Sequence, residues 1–436
     1  MENNSRDLTN ELKWRGFYSQ VSGDLISILS KPTSFYIGID PTASSLGVHH
    51  TVGLMAARVL QKYGHRPIIL VGEATSSIGD PSGKSEERKS ISKEEVAHNT
   101  KCVMKQIEKF LDFNSDAPNA AIMVNNLDWL GGYSFLDFIR DVGKKITVNY
   151  MMAKENVKKR LEREGTGISF QEFSYGLLQG YDFVHLYKNY GCQIQISGTD
   201  NIGNICTGIE LIHKMLGKDD VGSISWDLLT CADGRKFGKT EGNAVWLDPD
   251  RTSPYDFYQF WINQSDEDSK KFIKMFTLKS KEEIDELIAK HDLNPSSRVL
   301  QKELAKYMTT LVHSEEDYNN AVSASEILFG KSTKENLMNL DQKTLLSVFK
   351  DVPHFVVSEV ELLNGINLTE LVCTVGKLCS KSEFRKMAKS GGITLNKEKV
   401  SDASYQISGD DFINRKYIVV GRGKKYALFV TEREKS

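Results

Sequence analysis

Tyr175, Gln179 and Asp182 stand four and seven positions apart within the run SFQEFSYGLLQGYDF. On a helix that spacing puts a hydroxyl, an amide and a carboxylate on one stripe. Such a stripe can hold a small zwitterion that carries a hydroxyl of its own. A solvated polar face is the plain alternative, but Phe173, Leu177, Leu178 and Tyr181 leave little of this helix to water. A second segment, ADGRKFGKT, places Lys236 and Lys239 in a glycine-punctuated loop, where two mobile ammonium groups suit a departing polyphosphate. Taken alone it reads equally as a basic surface loop. The run GDPSGKS, Gly79 to Ser85, resembles a P-loop only superficially: three residues separate Gly79 from Gly83 where four are required, and Pro81 lacks a phosphate-facing N–H.

The elements that must position these groups follow from periodicity. SFYIGI (34–39), PIILVG (67–72), AAIMV (120–124) and QIQI (193–196) read as buried strands, with helices over His49 to Tyr63 and Gly203 to about Leu216. Strands separated by helices predict an α/β fold with a mostly parallel, Rossmann-like sheet. Ligands of such sheets bind beyond the carboxyl ends of the strands. Asp40, Asp80, Asn125, Asn126 and Asp200 all fall just after strand-like runs. Any one of them is ordinarily a cap or a turn residue; their convergence is what points to a site.

From Ser253 to about Asp341 the pattern is helical, with charged amphipathic segments such as KSKEEIDELIAKHD. The last ~55 residues turn to a basic helix, Gly391-Gly392 and short strands (ITLN, KYIVVG, KYALFV). Lys381 to Ser436 hold thirteen Lys and Arg against seven Asp and Glu, in a chain whose net charge is −2. A basic module is therefore attached to an acidic body. In KSEFRKMAKSGG, Lys381, Arg385 and Lys389 repeat every four residues opposite Phe384, Met387 and Ala388, a geometry that offers charge to phosphates and packs the other side. The six cysteines are scattered, without C-x-x-C or zinc spacing, and are expected to be reduced; no metal site is expected. With no signal peptide and no membrane-length apolar run, a cytoplasmic protein is expected.

An ordered series of segments, YIGIDPTASSL, GHRPIILVG, IGDPSGKSEER, the Tyr-Gln-Asp helix, GTDNIGN, KFGKT and SPYDFYQFW, resembles the bacterial and organellar tyrosyl-tRNA synthetases, class I aminoacyl-tRNA synthetases, from end to end. The resemblance implies a tyrosine/ATP-binding domain over 1–230, the KFGKT loop with a helical domain over 231–345, and a linker with an S4-like α+β RNA-binding domain over 346–436. By the same resemblance Tyr36 and Asp182 would bind the phenol hydroxyl of tyrosine, and Asp80, Tyr175 and Gln179 its ammonium group. Asp40, His49, Asp200 and Asn201 would meet ATP and the adenylate, and Thr42, His50, Lys84, Arg88, Lys236 and Lys239 the leaving pyrophosphate. Lys381, Arg385, Lys386 and Lys389 would contact tRNA(Tyr). The implied substrates are tyrosine, ATP with its Mg2+, and tRNA; a homodimer is implied, and neither DNA nor membrane.

The chain departs from the family's pattern at one place above all. The signature His-x-Gly-His reads Gly47-Val48-His49-His50, so only the second histidine matches. Losing one charge-assisted contact of the transition state costs about 10- to 150-fold in rate. Glu73 and Ser76 stand where glycines are usual, and Asn201-Ile202 replaces Gln-Trp. Two readings follow: a working synthetase with compensated geometry, or a catalytically weak paralogue that binds tyrosine or tRNA. The intact Asp40, Asp200, Lys236 and Lys239 favour the first.

Overall fold

The computed structural model describes residues 2–80, 91–114, 116–161, 167–240, 243–329, 334–350, 352–358, 365–423 and 425–432. The chain forms two compact units, one of residues 1–251 and 260–312 and the other of 252–259 and 313–436.

The first unit is built on a six-stranded sheet of β1 (Gln20–Ser22), β2 (Ser34–Ile39), β3 (Arg66–Val71), β4 (Ile122–Asn125), β5 (Cys192–Gly198) and β6 (Gly222–Trp226), in the order β1-β6-β5-β2-β3-β4. All neighbours are parallel except β1 against β6. The Rossmann-like sheet expected from the alternating pattern is present, and β2 occupies the residues its sequence indicated. Central strands covered on both faces lose the polar alternation of half-exposed ones, and β2 and β3 are accordingly almost wholly buried. Two strands went unpredicted. In β6, GSISW, the buried Ser223 and Ser225 disguise the apolar run, and β1 is a three-residue polar edge.

The helix Phe170–Tyr190 packs on the helix Ile202–Leu216 at a close crossing. Cβ atoms on Gly180 would lie 3.0 to 3.1 Å from Leu211 and Thr207, and one on Gly208 3.1 Å from Phe183, so the glycines let the two backbones approach. The shared core includes Tyr36, Ile68, Phe183, Leu186 and Leu211. At the N-terminus the buried Arg15 closes the helix Glu2–Arg15 onto residues that come far later. Its guanidinium donates to the carbonyls of Lys274 (2.6 Å), Thr277 (2.7 Å) and Lys279 (2.7 Å) and to Glu11 Oε1 (2.8 Å).

The short hairpin of β7 (Lys239–Thr240) and β8 (Asn243–Ala244) also belongs to this unit.

The second unit carries a five-stranded sheet of β9 (His354–Ser358), β10 (Ile393–Leu395), β11 (Glu398–Lys399), β12 (Tyr417–Arg422) and β13 (Lys425–Glu432), in the order β11-β10-β12-β13-β9. Its core gathers Leu368, Leu371, Phe384, Ala388, Ile393, Val420 and Phe429. The helix Lys381–Lys389, capped where Ser380 accepts from Glu383 N–H, buries Phe384 and Ala388 and leaves Lys381, Arg385, Lys386 and Lys389 exposed. β9, parallel to β13 across some seventy residues of chain, carried no local signal.

Candidate active site

The carboxyl ends of β2, β3 and β4 are tied to the helix Phe170–Tyr190 by one hydrogen-bonded chain. Tyr175 Oη donates to Asp40 Oδ2 (2.9 Å), and Thr75 Oγ1 donates to Asp40 Oδ1 (2.8 Å). Asn126 Nδ2 reaches Thr75 Oγ1 (3.0 Å) and Asp182 Oδ2 (3.1 Å), while Asn126 Oδ1 accepts from the Ala74 N–H (2.9 Å). Trp129 Nε1 completes the chain by donating to Asp182 Oδ1 (2.8 Å). The Trp129 ring stacks on His185 at 4.2 Å, which fixes the donor's direction.

The stripe on this helix is a lined site rather than a wet face, since Tyr175 and Asp182 are buried. Ser169 caps its start by accepting from Glu172 N–H, and Gly191 ends it in the left-handed region at φ 62°. Burial lifts the Asp182 carboxyl to about 8, against the hydrogen bonds from Asn126 and Trp129, and Asp40 adds to the rise. Tyr36 projects from β2 with its ring against Phe183, centroids 5.2 Å apart. Its hydroxyl is buried and without a hydrogen-bond partner, and burial together with the neighbouring Asp182 raises its pKa well above the ordinary value. A buried phenol and a buried carboxyl side by side fit a ligand hydroxyl that can satisfy both. At the other end of the stripe, Asp40 and Asp80 are the charges that, after burial, raise Tyr175. Gln179 Oε1 accepts from Asn204 Nδ2 (2.8 Å), which also reaches Asn201 Oδ1 (3.3 Å). Asp200 lies in the exposed turn Thr199–Asn201 that follows β5, the strand beside β2. Glu73, at the end of β3, accepts from Asn125 Nδ2 (2.5 Å).

The two signature segments are held against each other. Gly47 pairs with Trp246 in a β-bridge, Val48 N–H donates to Val245 O (2.8 Å), and Val245 N–H donates to Gly238 O (3.0 Å). His50 Nδ1 lies 3.1 Å from the Gly47 backbone nitrogen, at the start of the helix Thr51–Lys62. Thr42 begins the preceding loop with its N–H on Asp40 O (2.8 Å). Lys236 and Lys239 are exposed on either side of the buried Phe237. That ring is set among Phe260, Trp261, Phe272 and Phe276 at centroid distances of 4.9 to 5.8 Å, which anchors the lysine loop.

Lys84 and Arg88 lie outside the described residues, as does most of the GDPSGKS run. Of the remaining expected residues, Tyr36, Asp40, Asp80, Tyr175 and Asp182 come together around the helix stripe. Gln179, Asp200 and Asn201 lie at the β5 side, and the segment Gly47 to His50 lies against Gly238 of the loop that carries Lys236 and Lys239. Sequence reading missed Thr75, Trp129, Asn204 and Phe237, whose roles depend on partners far along the chain. It also passed over Lys154, whose ammonium contacts Gly203 O and Thr207 Oγ1 and is brought down to about 8 by burial. Among the described residues no group of His, Cys, Asp and Glu has a metal-holding arrangement, and no helix is long and apolar enough to cross a membrane.

A parallel sheet with its polar groups gathered at the strand ends, together with an exposed loop bearing two lysines, is an arrangement suited to a nucleotide-dependent ligase of the class I synthetase type, and comparison with known proteins shows that class. Residues 29–330 match the family of class I tRNA synthetases (W and Y), to which the chain belongs. Residues 344–430 match the tyrosine–tRNA ligase C-terminal domain. The chain is 53% identical over 431 residues to the tyrosine–tRNA ligase of Parabacteroides distasonis, covering 98% of this chain and 100% of that protein. It is 52% identical over 430 residues to that of Porphyromonas gingivalis (strain W83), with the same coverage. Among solved structures, a C-terminally truncated mitochondrial tyrosyl-tRNA synthetase from Aspergillus nidulans superposes with a TM-score of 0.67 at 29% identity, over 75% of this chain and 97% of that one.

Proposed function

We infer that the chain is a tyrosine–tRNA ligase, which activates tyrosine with ATP to tyrosyl-adenylate and transfers the tyrosyl group to tRNA(Tyr). The observation that carries the amino-acid choice is the buried, partnerless hydroxyl of Tyr36 beside Asp182. A tyrosine phenol bound there donates to Asp182 and accepts from Tyr36, and phenylalanine leaves both buried groups unpaired.

The roles assigned to the other residues follow from where their polar atoms lie. Tyr175 donates its hydroxyl hydrogen bond to Asp40, so its oxygen keeps a lone pair for the substrate ammonium, assisted by Asp80 and Gln179. With the ammonium and phenol fixed, the tyrosine carboxylate attacks the α-phosphate of ATP and pyrophosphate leaves; no covalent bond to the enzyme forms. Asp40, Asp200 and Asn201 serve the adenylate. His49 meets ATP, Thr42, His50, Lys84, Arg88, Lys236 and Lys239 serve the leaving pyrophosphate, and Mg2+ enters with ATP. The terminal ribose of the tRNA then attacks the mixed anhydride, and catalysis consists of positioning and charge stabilisation. Residues 1–230, 231–345 and 346–436 divide these tasks as tyrosine/ATP binding, the lysine loop with its helices, and tRNA binding through Lys381, Arg385, Lys386 and Lys389.

The enzyme works as a cytoplasmic homodimer. Support for the dimer comes from Phe135 (66% exposed), Leu136 (76% exposed), Ile139, Val148, Met152 and Phe170, an apolar surface concentrated on one stretch of the first unit. The test of the function is tyrosine-dependent exchange of pyrophosphate into ATP, run beside phenylalanine. Exchange driven by tyrosine and not by phenylalanine is expected; no exchange with any amino acid, together with tRNA binding, would instead favour the binding-only reading.

A further inference from the structure

Glycine at position 47 is not required by its backbone, which is ordinary extended chain at φ −79° and ψ 157°. What requires it is the neighbour two residues on. A Cβ at Gly47 would lie 2.7 Å from both Nδ1 and Cε1 of His49, so the His49 imidazole occupies the volume into which a side chain at position 47 would project. The adjacent histidine is used differently. His50 holds its Nδ1 against the Gly47 backbone, and the two rings lie 4.0 Å apart at 37°. His50 is thus committed to the chain, while His49 is the more exposed of the pair.

The position of His49 is fixed from a second direction. Gly238, at φ 88°, packs directly on it: a Cβ there would stand 3.3 Å from His49 N and 3.4 Å from His49 Cβ. The lysine loop and the histidine segment are therefore close neighbours, joined by the Val48 to Val245 and Val245 to Gly238 hydrogen bonds. His49 stands just before the helix Thr51–Lys62, and the exposed Lys236 and Lys239 flank in sequence the Gly238 that lies against it, so an imidazole and two ammonium groups are carried by two neighbouring segments. That is the chemistry of a polyphosphate site.

We propose that Gly47 and His49 are an exchanged pair, in which the imidazole carried by the third residue of the segment fills the space above the first and donates from there to the phosphates of ATP. The inference rests on the tyrosine-activating reading and explains how an altered signature serves it. His49 is then a phosphate-contacting residue, and Gly47 a positioning one whose only task is to leave room.

The claim is tested by a double-mutant cycle with Gly47→Ala and His49→Gly, scored by pyrophosphate exchange as kcat/KM for ATP, with KM for tyrosine measured alongside. Each single variant is expected to lose about tenfold or more in kcat/KM for ATP with KM for tyrosine unchanged, and the double variant to be no worse than His49→Gly alone. His49→Gln, which keeps a donor, should recover part of the loss. Adding Gly47→His to His49→Gly should recover most of it. Activity of His49→Gly within about twofold of the unmodified enzyme, or Gly47→Ala and His49→Gly losses that simply multiply, would overturn the proposal. Melting temperatures of all variants guard against misfolding, and the Gly47→Ala cycle decides alone if the Gly47→His combination does not fold. If the unmodified chain shows no exchange, the activating reading fails separately. Calorimetric binding of pyrophosphate then decides this one, with equal affinities for the unmodified chain and His49→Gly counting against it.

Discussion

Trp129 and Asp182, fifty-three residues apart, meet through an indole N–H that donates to the carboxylate at 2.8 Å. The bond holds the buried carboxyl whose charge reaches Tyr36, and selectivity for a phenol should depend on it. Discrimination of tyrosine over phenylalanine of about 10⁴ to 10⁵ is expected of a site that leaves buried groups unpaired by the wrong ligand. Asp182→Ala should lower that ratio by about two orders of magnitude or more, and Trp129→Phe by roughly tenfold. Paired activation assays with the two amino acids measure both, and an unchanged ratio in Asp182→Ala would remove the residue from the pocket.

Tyrosine binding should carry a proton signature. Asp182 titrates at about 8 in the free chain because of burial, and a phenol O–H donated to it favours the charged form. Binding near pH 7 therefore releases most of a proton. Affinity should climb as pH rises toward 8 and level off above it. Calorimetry in buffers of different ionisation enthalpy reads the proton directly, and a heat independent of buffer would refute the assignment.

The same carboxyl gives a stability prediction of definite sign. A carboxyl whose folded pKa is raised above its unfolded value favours the folded chain fully only below the unfolded pKa, near 4. That contribution is lost as pH rises through the folded value of about 8. Relative to the native chain, Asp182→Asn should gain thermal stability progressively between about pH 4 and 8, and hold that gain at higher pH. A melting-temperature difference that shrinks over this interval would contradict it.

Replacing Phe135 and Leu136 with glutamate should yield monomers, since two charges would enter an exposed apolar segment of the first unit. Sedimentation velocity is the measurement. The native chain is expected at twice its 49.1 kDa mass, and a native monomer at micromolar concentration would refute the dimer.

Charge reversal at Lys381, Arg385 and Lys389 should separate RNA binding from activation. Each phosphate that the protein no longer neutralises lowers the slope of log affinity against log salt by roughly 0.7 to 0.9. Pyrophosphate exchange should stay near the native level, while tRNA affinity falls and its salt dependence flattens.

The parts of the site that could be read in the sequence are those governed by local period. Tyr175, Gln179 and Asp182 share a face because a helix repeats every 3.6 residues, and Asp40 and Asp80 were found because parallel strands end at a crevice. Trp129, Thr75 and Asn204 follow no period; each finds its partner only after β3, β4 and two helices have packed. The direction of the His49 ring was equally hidden, because it is set by Gly47 and Gly238 together rather than by helical spacing. β6 was concealed by two buried serines, and β9 by a partner at the opposite end of its unit.

The Arg15 guanidinium completes its bonds only with carbonyls 259 to 264 residues further along. A ribosome adding about 5 to 20 residues per second needs roughly 13 to 50 s to deliver them. During that time the Arg15 guanidinium has only Glu11 of its own helix to bond, and the three carbonyls that complete its set do not yet exist. The helix Glu2–Arg15 is synthesised well before the segment that fastens it, so a nascent chain stalled before Lys274 should expose it to protease, and one released beyond Lys279 should not.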